Sequence, residues 1–210
     1  ASTGFYDAVT LTPNAAQLDF KASNSNLSGD IETSADSTVD MALNNQSLLT
    51  GKINNANAIN MLDLSLDSTS RWNMTGNSFV QNLNNAGTIY WQNLGNTLTV
   101  NGNYTGASGS IINLETQLGD DSSPTDKLHV LGNTSGNTDM IIRNAGGAGA
   151  PTIEGIQVVQ VDGASDGVFS LAASVQAGSY EYTLQKNGVS TPTDGDWYLR
   201  STFVATCANT

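Results

Sequence analysis

Leu98-Thr99-Val100-Asn101-Gly102-Asn103-Tyr104-Thr105-Gly106 holds two short apolar runs and the turn that separates them. The frame at its centre is apolar-X-Gly-X-apolar, Val100 to Tyr104. The same frame stands upstream as Leu27-Ser28-Gly29-Asp30-Ile31 and Leu49-Thr50-Gly51-Lys52-Ile53, and slightly stretched as Met74-Thr75-Gly76-Asn77-Ser78-Phe79. These glycines are 22, 25 and 26 residues apart. A strand-bearing repeat with a period of about 20–30 residues is the signature of a solenoid. One such turn cannot bury its inward side chains alone. Stacking turns about 4.8 Å apart pairs their backbones and builds one apolar column.

Alternation within the turns agrees. In Thr38-Val39-Asp40-Met41-Ala42-Leu43 and Met61-Leu62-Asp63-Leu64-Ser65-Leu66-Asp67, every second residue is apolar, as a half-buried strand requires. The inward set is then Leu27, Ile31, Val39, Met41, Leu43, Leu49, Ile53, Ile59, Leu62, Leu64, Leu66, Trp72, Met74, Phe79, Leu83, Ile89, Leu98 and Val100. Ala1 to Lys21 is weakly patterned, with Val9, Leu11, Leu18 and Phe20 as its buried positions. Asn44-Asn45, Asn54-Asn55 and Asn84-Asn85 suit the corners, because Asn tolerates φ > 0 and its amides can stack as ladders.

Downstream the apolar runs continue as Ser110–Leu114, Lys127–Leu131, Asp139–Ile142, Ile156–Val161, Val168–Leu171 and Tyr180–Leu184. They are short, β-branched or aromatic, and bounded by turn residues. No helix of ordinary length fits between the breakers. A solenoid's last turn exposes an open edge and needs a cap. Tyr180, Tyr182, Trp197 and Tyr198 concentrate aromatic area where a cap belongs, with Thr191-Pro192-Thr193-Asp194-Gly195-Asp196 as the turn of a hairpin. A β-sandwich or jelly roll also has many short strands, but the repeat spacing and long polar corners favour the solenoid. The chain divides into rungs over 1–97, further rungs and cap over 98–200, and a patternless tail or linker over 201–210.

The 210 residues carry 7 basic and 19 acidic side chains, for a net charge of −12, and 38% are hydrophobic. Low charge can accompany disorder, but regular apolar runs argue against it. An acidic chain with no basic cluster is a poor partner for nucleic acid or anionic membrane surfaces. Ala1 to Thr10 lacks the basic and then apolar segments of a secretory signal, and no run reaches spanning length, so the chain reads as a processed or excised piece. The lone Cys207 can make no internal disulfide.

Several motifs in the second half occur in a fixed order: Val100-Asn101-Gly102-Asn103-Tyr104; Leu118-Gly119-Asp120-Asp121-Ser122-Ser123-Pro124-Thr125-Asp126-Lys127-Leu128; Gly132-Asn133-Thr134-Ser135-Gly136; Gly146-Gly147-Ala148-Gly149-Ala150; Gly155-Ile156-Gln157-Val158-Val159; and Trp197-Tyr198-Leu199. In order and spacing, this set resembles the C-terminal passenger region of the pertactin and AIDA-like autotransporters of Gram-negative bacteria. The likeness covers about half the chain. It implies an all-β, right-handed parallel β-helix with a C-terminal β-hairpin cap, the last rungs forming an autochaperone region that folds first and templates the rest. It further implies a place on the bacterial cell surface, attached or released, and an outer-membrane β-barrel translocator as partner. The further partner is a host surface protein, a glycan or a sister passenger. Scarcity of cysteine fits a chain threaded unfolded through a pore. The resemblance implies a folding nucleus and cap made of Val100, Tyr104, Ile111, Leu114, Leu128, Val130, Ile141, Ile156, Val158, Phe169, Leu171, Tyr182, Leu184, Trp197 and Leu199.

Catalytic chemistry has little to stand on. His129 is the only histidine, in the strand-like Leu128-His129-Val130, and no Gly-X-Ser-X-Gly elbow is present. Asp120 and Asp121 are the nearest approach to a glycosidase pair, but Gly-Asp-Asp-Ser-Ser-Pro reads as a turn. Asp63 and Asp67 alternate with leucines and should be solvated. Gly146-Gly147-Ala148-Gly149-Ala150 resembles the opening of a calcium nonapeptide repeat, but Pro151 stands where the acid belongs. No phosphate loop, dinucleotide fingerprint or EF-hand occurs, so no cofactor and no metal are expected. The reading is non-enzymatic: an adhesin-type surface passenger, with a structural stem as one alternative and a β-helix polysaccharide-acting enzyme as the other. Tyr90 and Trp91, adjacent on one strand, point to opposite faces, so one of them is available as a contact surface.

Overall fold

A computed structural model describes residues 9–10, 17–33, 37–55 and 61–204. Among these, regular structure is all β. The strands are β1 (Val9–Thr10), β2 (Gln17–Ser23), β3 (Asn26–Ser28), β4 (Ile31–Thr33), β5 (Thr38–Asn44), β6 (Leu48–Thr50), β7 (Ile53–Asn55), β8 (Met61–Leu66), β9 (Arg71–Met74), β10 (Ser78–Val80) and β11 (Leu83–Asn85). The series continues with β12 (Thr88–Trp91), β13 (Thr97–Val100), β14 (Tyr104–Gly106), β15 (Ile111–Thr116), β16 (Lys127–Val130), β17 (Thr134–Asn144), β18 (Ile156–Val161), β19 (Val168–Leu171), β20 (Val175–Ala177), β21 (Tyr180–Lys186) and β22 (Trp197–Phe203).

Every third strand up to β16 pairs in parallel, which makes a β-helix with three walls. The first wall holds β1-β4-β7 and then β10-β13-β16-β18; the second holds β2-β5-β8-β11-β14-β17; the third holds β3-β6-β9-β12-β15-β17. Between β7 and β10 the ladder is interrupted, and Ser78 Oγ accepts the Ile53 N–H at 3.1 Å instead. The eleven-residue β17 belongs to two walls: Thr134 pairs with Tyr104 of β14, and Met140 with Ile112 of β15. β19 adds beside its middle, Leu171 opposite Met140.

Register turns the repeat into columns. In the second wall Phe20, Met41, Leu64, Leu83 and Tyr104 stand in line. In the third, Leu27, Leu49, Trp72, Ile89, Ile112 and Met140 do so. In the first, Val80, Val100, Val130 and Val161 follow one another. Burying such branched and aromatic side chains contributes roughly 1.5–3 kcal/mol each, which drives the stacking. Phe79 and Ile59 apart, the inward set expected from the sequence is buried, with Ile31 partly so. Phe79 is a correction. Val80 and Ser78 face inward and Phe79 pairs with Thr99 on the outside, because only one parity of a strand can enter the column already set by Leu98 and Val100. Leu18 and Phe20 are partly buried against the core. Leu11 and Ile59 lie outside the described residues, as does the side chain of Val9.

The corners carry their own ladder. Asp63 Oδ1 accepts the N–H of Asn82, Asn82 Oδ1 that of Asn103, Asn103 Oδ1 that of Asn133, and Asn133 Oδ1 that of Ala164, all at 2.8–3.1 Å. Gly102, Gly132 and Gly163 stack just before it, and a Cβ on Gly132 would overlap the Gly102 carbonyl. Elsewhere Asn45, at φ 54°, donates its N–H to Asp67 Oδ2 at 2.6 Å. Desolvation opposes ionisation there, but four backbone and hydroxyl donors from Asn45, Ser70 and Thr69 outweigh it and hold the Asp67 carboxyl down to about 2. Asn85, expected at a corner, ends β11 and accepts the Gly87 N–H at 3.1 Å across the turn that follows, and it is fully buried.

The cap is antiparallel. β22 pairs with β18, Leu199 opposite Ile156, and β21 and β20 continue outward as a meander. The connection between β21 and β22 contains the expected Thr191–Asp196 turn. β22 runs on to Phe203, opposite Tyr180, so Ser201, Thr202 and Phe203 belong to the cap and not to a tail. Backbone pairing, which needs no apolar pattern, extends the strand. Cys207 lies outside the described residues.

Candidate functional site

The second half of the chain is tied together at an aromatic seam. Tyr104 of β14 stacks on Phe169 of β19 with ring centres 5.9 Å apart and planes at 21°. Phe169 meets Trp197 of β22 edge-on at 5.5 Å. Offset stacked and edge-to-face arrangements are the favoured geometries for such rings. The seam therefore runs from an interior rung, through the last parallel strand, to the cap.

Beside it lies a buried polar node. The Tyr104 hydroxyl is 2.7 Å from Thr138 Oγ1 and 3.1 Å from Ser110 Oγ, and those two are 3.1 Å apart. Asn85 Nδ2 donates to Ser110 Oγ at 2.9 Å. All four residues are buried. Burial pushes the Tyr104 hydroxyl up, against the pull of its hydroxyl partners. Four polar groups that satisfy one another inside a dry column fix one register, since slippage would leave each unpaired.

Four carboxylates bind backbone in the last rungs and the cap. Asp126, fully buried, accepts the N–H groups of Asn96 at 3.0 Å and Glu115 at 2.7 Å. Burial dominates its titration and pushes it up to about 6, although the backbone donors pull the other way. Asp121 accepts the N–H groups of Ile153, Glu154 and Gly155 at 2.8–3.1 Å. Desolvation opposes ionisation there, but the backbone donors and Arg200 prevail and lower it. Glu154 in turn accepts from Val189 at 2.7 Å and Ser190 at 2.8 Å, and its carbonyl accepts from Arg200 Nε at 2.7 Å. Asp196, pushed up by burial, accepts from Val161 N and from Gln157 Nε2, both at 2.7 Å.

Of the candidate nucleus residues, Val100, Tyr104, Leu114, Leu128, Val130, Ile156, Val158, Phe169, Tyr182, Trp197 and Leu199 are buried in one continuous cluster, with Leu171 and Leu184 partly buried against it. Ile111 and Ile141 are corrections. Both are only partly buried, and Ile112 and Met140 take the inward positions, because the Trp72–Ile89 column fixes that parity. Trp91 is a further correction as a contact residue: it is 0% exposed, in register with Met74, while its neighbour Tyr90 faces outward. The sequence reading missed Asn85, Ser110, Thr138 and Asp126, all polar in stretches that read as turns or strand flanks. The Asp-Lys-Leu step after the Ser-Ser-Pro turn was the one available signal for Asp126.

The sites weighed for chemistry are structural in geometry. Asp120 Oδ1 accepts from Ser122 N and Oγ within its own turn. His129 Nε2 lies 3.0 Å from Asp162 Oδ2 on the outer side of β16. Asn144 Oδ1 accepts the Gly147 N–H at 2.7 Å, closing the glycine-rich turn. Among the described residues no group of three or more His, Cys, Asp or Glu side chains is placed to hold a metal.

Comparison with known proteins supplies the context. A family described as autochaperone domain type 1 matches residues 78–184. The adhesin BmaC autotransporter of Brucella suis is 50% identical over 116 residues, 51% of this chain and 3% of its own length. The autotransporter adhesin AIDA-I of Escherichia coli is 49% identical over 110 residues, 52% of this chain and 8% of its own. The probable autotransporter YfaL of Escherichia coli K12 is 38% identical over 164 residues, 73% of this chain and 12% of its own. The chain thus spans a small fraction of each of these relatives.

Proposed function

The chain belongs to the autotransporter passengers that carry an autochaperone domain of type 1, and on that premise we propose that residues 98–200 are the folding nucleus and cap of an adhesin-type surface passenger. The observation that carries this reading is the Tyr104–Phe169–Trp197 seam, which joins an interior rung to the antiparallel cap. A closed C-terminal unit presents the edges of β13, β14 and β15 to the rungs before it. Each earlier rung then pairs with a preformed neighbour, which removes the loop-closure cost that makes nonlocal strand pairing slow.

The whole passenger acts, in this reading, at the bacterial cell surface. An outer-membrane β-barrel translocator delivers it, and a host surface protein, a glycan or a sister passenger is its partner. The role assigned is non-enzymatic: Asp120, Asp121 and Asp126 are occupied in turns and loops, and His129 in a hydrogen bond with Asp162.

Display on a non-adherent strain with the passenger's own translocator tests this. One form keeps the full passenger, a second lacks residues 1–97, and a third carries Trp197→Ala. Export, protease resistance and adherence or clumping are scored together. Loss of protease resistance in Trp197→Ala, with the shorter form exported and folded, is expected. Full resistance in Trp197→Ala would sink the nucleus. A shorter form that folds but no longer adheres puts a contact surface in residues 1–97; adherence lost by neither form puts it elsewhere in the passenger.

A further inference from the structure

Tyr90 faces outward from β12 and is gripped by two cations. The guanidinium carbon of Arg71 lies 5.2 Å from its ring centre and that of Arg143 lies 5.3 Å away. Arg143 also donates from Nη1 to the Tyr90 hydroxyl at 2.9 Å. Arg71 comes from β9, on one side of β12, and Arg143 from β17, beyond β15 on the other. The ion pairs among the described residues, Lys21–Asp19 and Lys52–Asp30, and the His129–Asp162 contact include neither arginine.

This is an unusual use of charge. The chain has a net charge of −12, yet two of its three arginines converge on one partly exposed ring; Glu115 stands opposite Arg143 on β15 but forms no ion pair with it. Like charges brought together repel, and an anion between them relieves that repulsion. Asn73 and Asn113 stand directly opposite Tyr90 on the two neighbouring strands. The Oδ1 atom of each has no hydrogen-bond partner and is closed off from solvent. An acceptor left without a donor in that position is costly.

We propose that Arg71, Tyr90 and Arg143, with Asn73 and Asn113 beneath, form a binding site for a carboxylated saccharide. A guanidinium grips the sugar carboxylate as a two-pronged fork. As it swings off the ring it frees an apolar aromatic face for the C–H side of the sugar. The same movement uncovers the two amide oxygens, which accept ligand hydroxyls. A nucleic acid is disfavoured because its dense phosphates meet a strongly acidic chain. An acidic peptide satisfies the guanidiniums but brings few hydroxyl donors to the amide oxygens. The inference deepens the adhesive part of the proposed function and rests on it for its biological use; saccharide binding itself is measured apart from adherence.

The test is calorimetric titration of the full chain at low salt with trigalacturonate, sialyllactose, neutral maltotriose and triglutamate. At least one of the two carboxylated saccharides should bind ten times more tightly than maltotriose or triglutamate, and which one identifies the kind of acid sugar. Arg71→Gln with Arg143→Gln, and separately Tyr90→Ala, should weaken that binding at least tenfold without altering thermal unfolding, while Lys52→Gln leaves it intact. Absence of binding to both carboxylated saccharides, equal binding of maltotriose or triglutamate, or unchanged affinity in the variants overturns the site. Displayed on cells, variants that lose saccharide binding but keep adherence support the site and remove its adhesive use. Variants that lose adherence but still bind saccharide overturn the site and leave the adhesive reading standing.

Discussion

Phe169 lies flat on Tyr104, ring centres 5.9 Å apart, and so links the last parallel strand to a rung two turns of chain earlier. The same Phe169 ring takes the edge of Trp197. It is the middle member of a stack whose other two rings belong to the helix and to the cap.

Truncating the middle ring should cost more than truncating either end. Phe169→Ala removes a buried aromatic, for which about 3–5 kcal/mol is typical, and breaks both ring contacts at once. Urea unfolding of the purified chain measures the loss. A double-mutant cycle with Trp197→Ala should show coupling, because the second truncation finds its contact already gone. Additive losses would mean that the two rings act independently.

Removing only the Tyr104 hydroxyl should be mild. Ser110 and Thr138 remain 3.1 Å apart and can still bond each other. Tyr104→Phe therefore gives up about 1 kcal/mol, whereas Thr138→Val, which leaves the Tyr104 hydroxyl one partner short, should cost at least as much. Thermal unfolding of the two variants side by side decides it.

Gly132→Ala should open the stack. A Cβ there meets the Gly102 carbonyl of the rung before, a backbone atom that cannot move aside. Overpacking of this kind costs about 1–3 kcal/mol. Limited proteolysis should then cut near the corner, whose Asn103-to-Asn133 bond at 2.9 Å depends on the same rung spacing.

Acidity should stabilise the fold through Asp126 over a defined window. Its folded value of about 6 lies above its ordinary value of 3.8, so the folded chain holds the proton more tightly. That contribution is fully present below 3.8 and is lost as the pH rises through about 6. Asp196, also raised by burial, acts in the same direction. Asp67, held down to about 2, acts only at lower pH, where its contribution disappears as the pH falls toward that value. The urea midpoint should therefore rise as the pH is lowered from 7 to 5. Asp126→Asn should be less stable overall, having lost an acceptor, and should show a smaller rise. An identical slope in the variant would exclude Asp126 as the source.

Much of this architecture could be read from the chain because a solenoid repeats its grammar. The glycine frame marks each rung, and alternation in the Val39–Leu43 and Leu62–Leu66 strands marks the inward face. Where two neighbouring residues are both apolar, the pattern cannot choose. Ile111-Ile112 and Met140-Ile141 each offer either parity, and only the column begun at Trp72 selects Ile112 and Met140. At Phe79 the stretched frame shifts parity by one residue. The aromatic cap was legible from Tyr182 and Trp197, but the polar node was not. Asn85, Ser110 and Thr138 look like surface residues until three separate rungs bring them together. Tyr90 and Trp91 were separable only as a pair, and the arginines that flank Tyr90 come from strands remote in sequence.

β17 has a mechanical meaning. Upstream, each rung is three short strands hinged at corners, so a pull along the helix axis loads one rung's ladder at a time and peels it away. β17 runs through the corner without a break and is bonded to β14, β15 and β19 together. Tearing it out requires three ladders to shear in concert. Stretched from its ends, the chain should lengthen in small even steps up to β14 and then hold, a fuse line set by one strand that declines to bend.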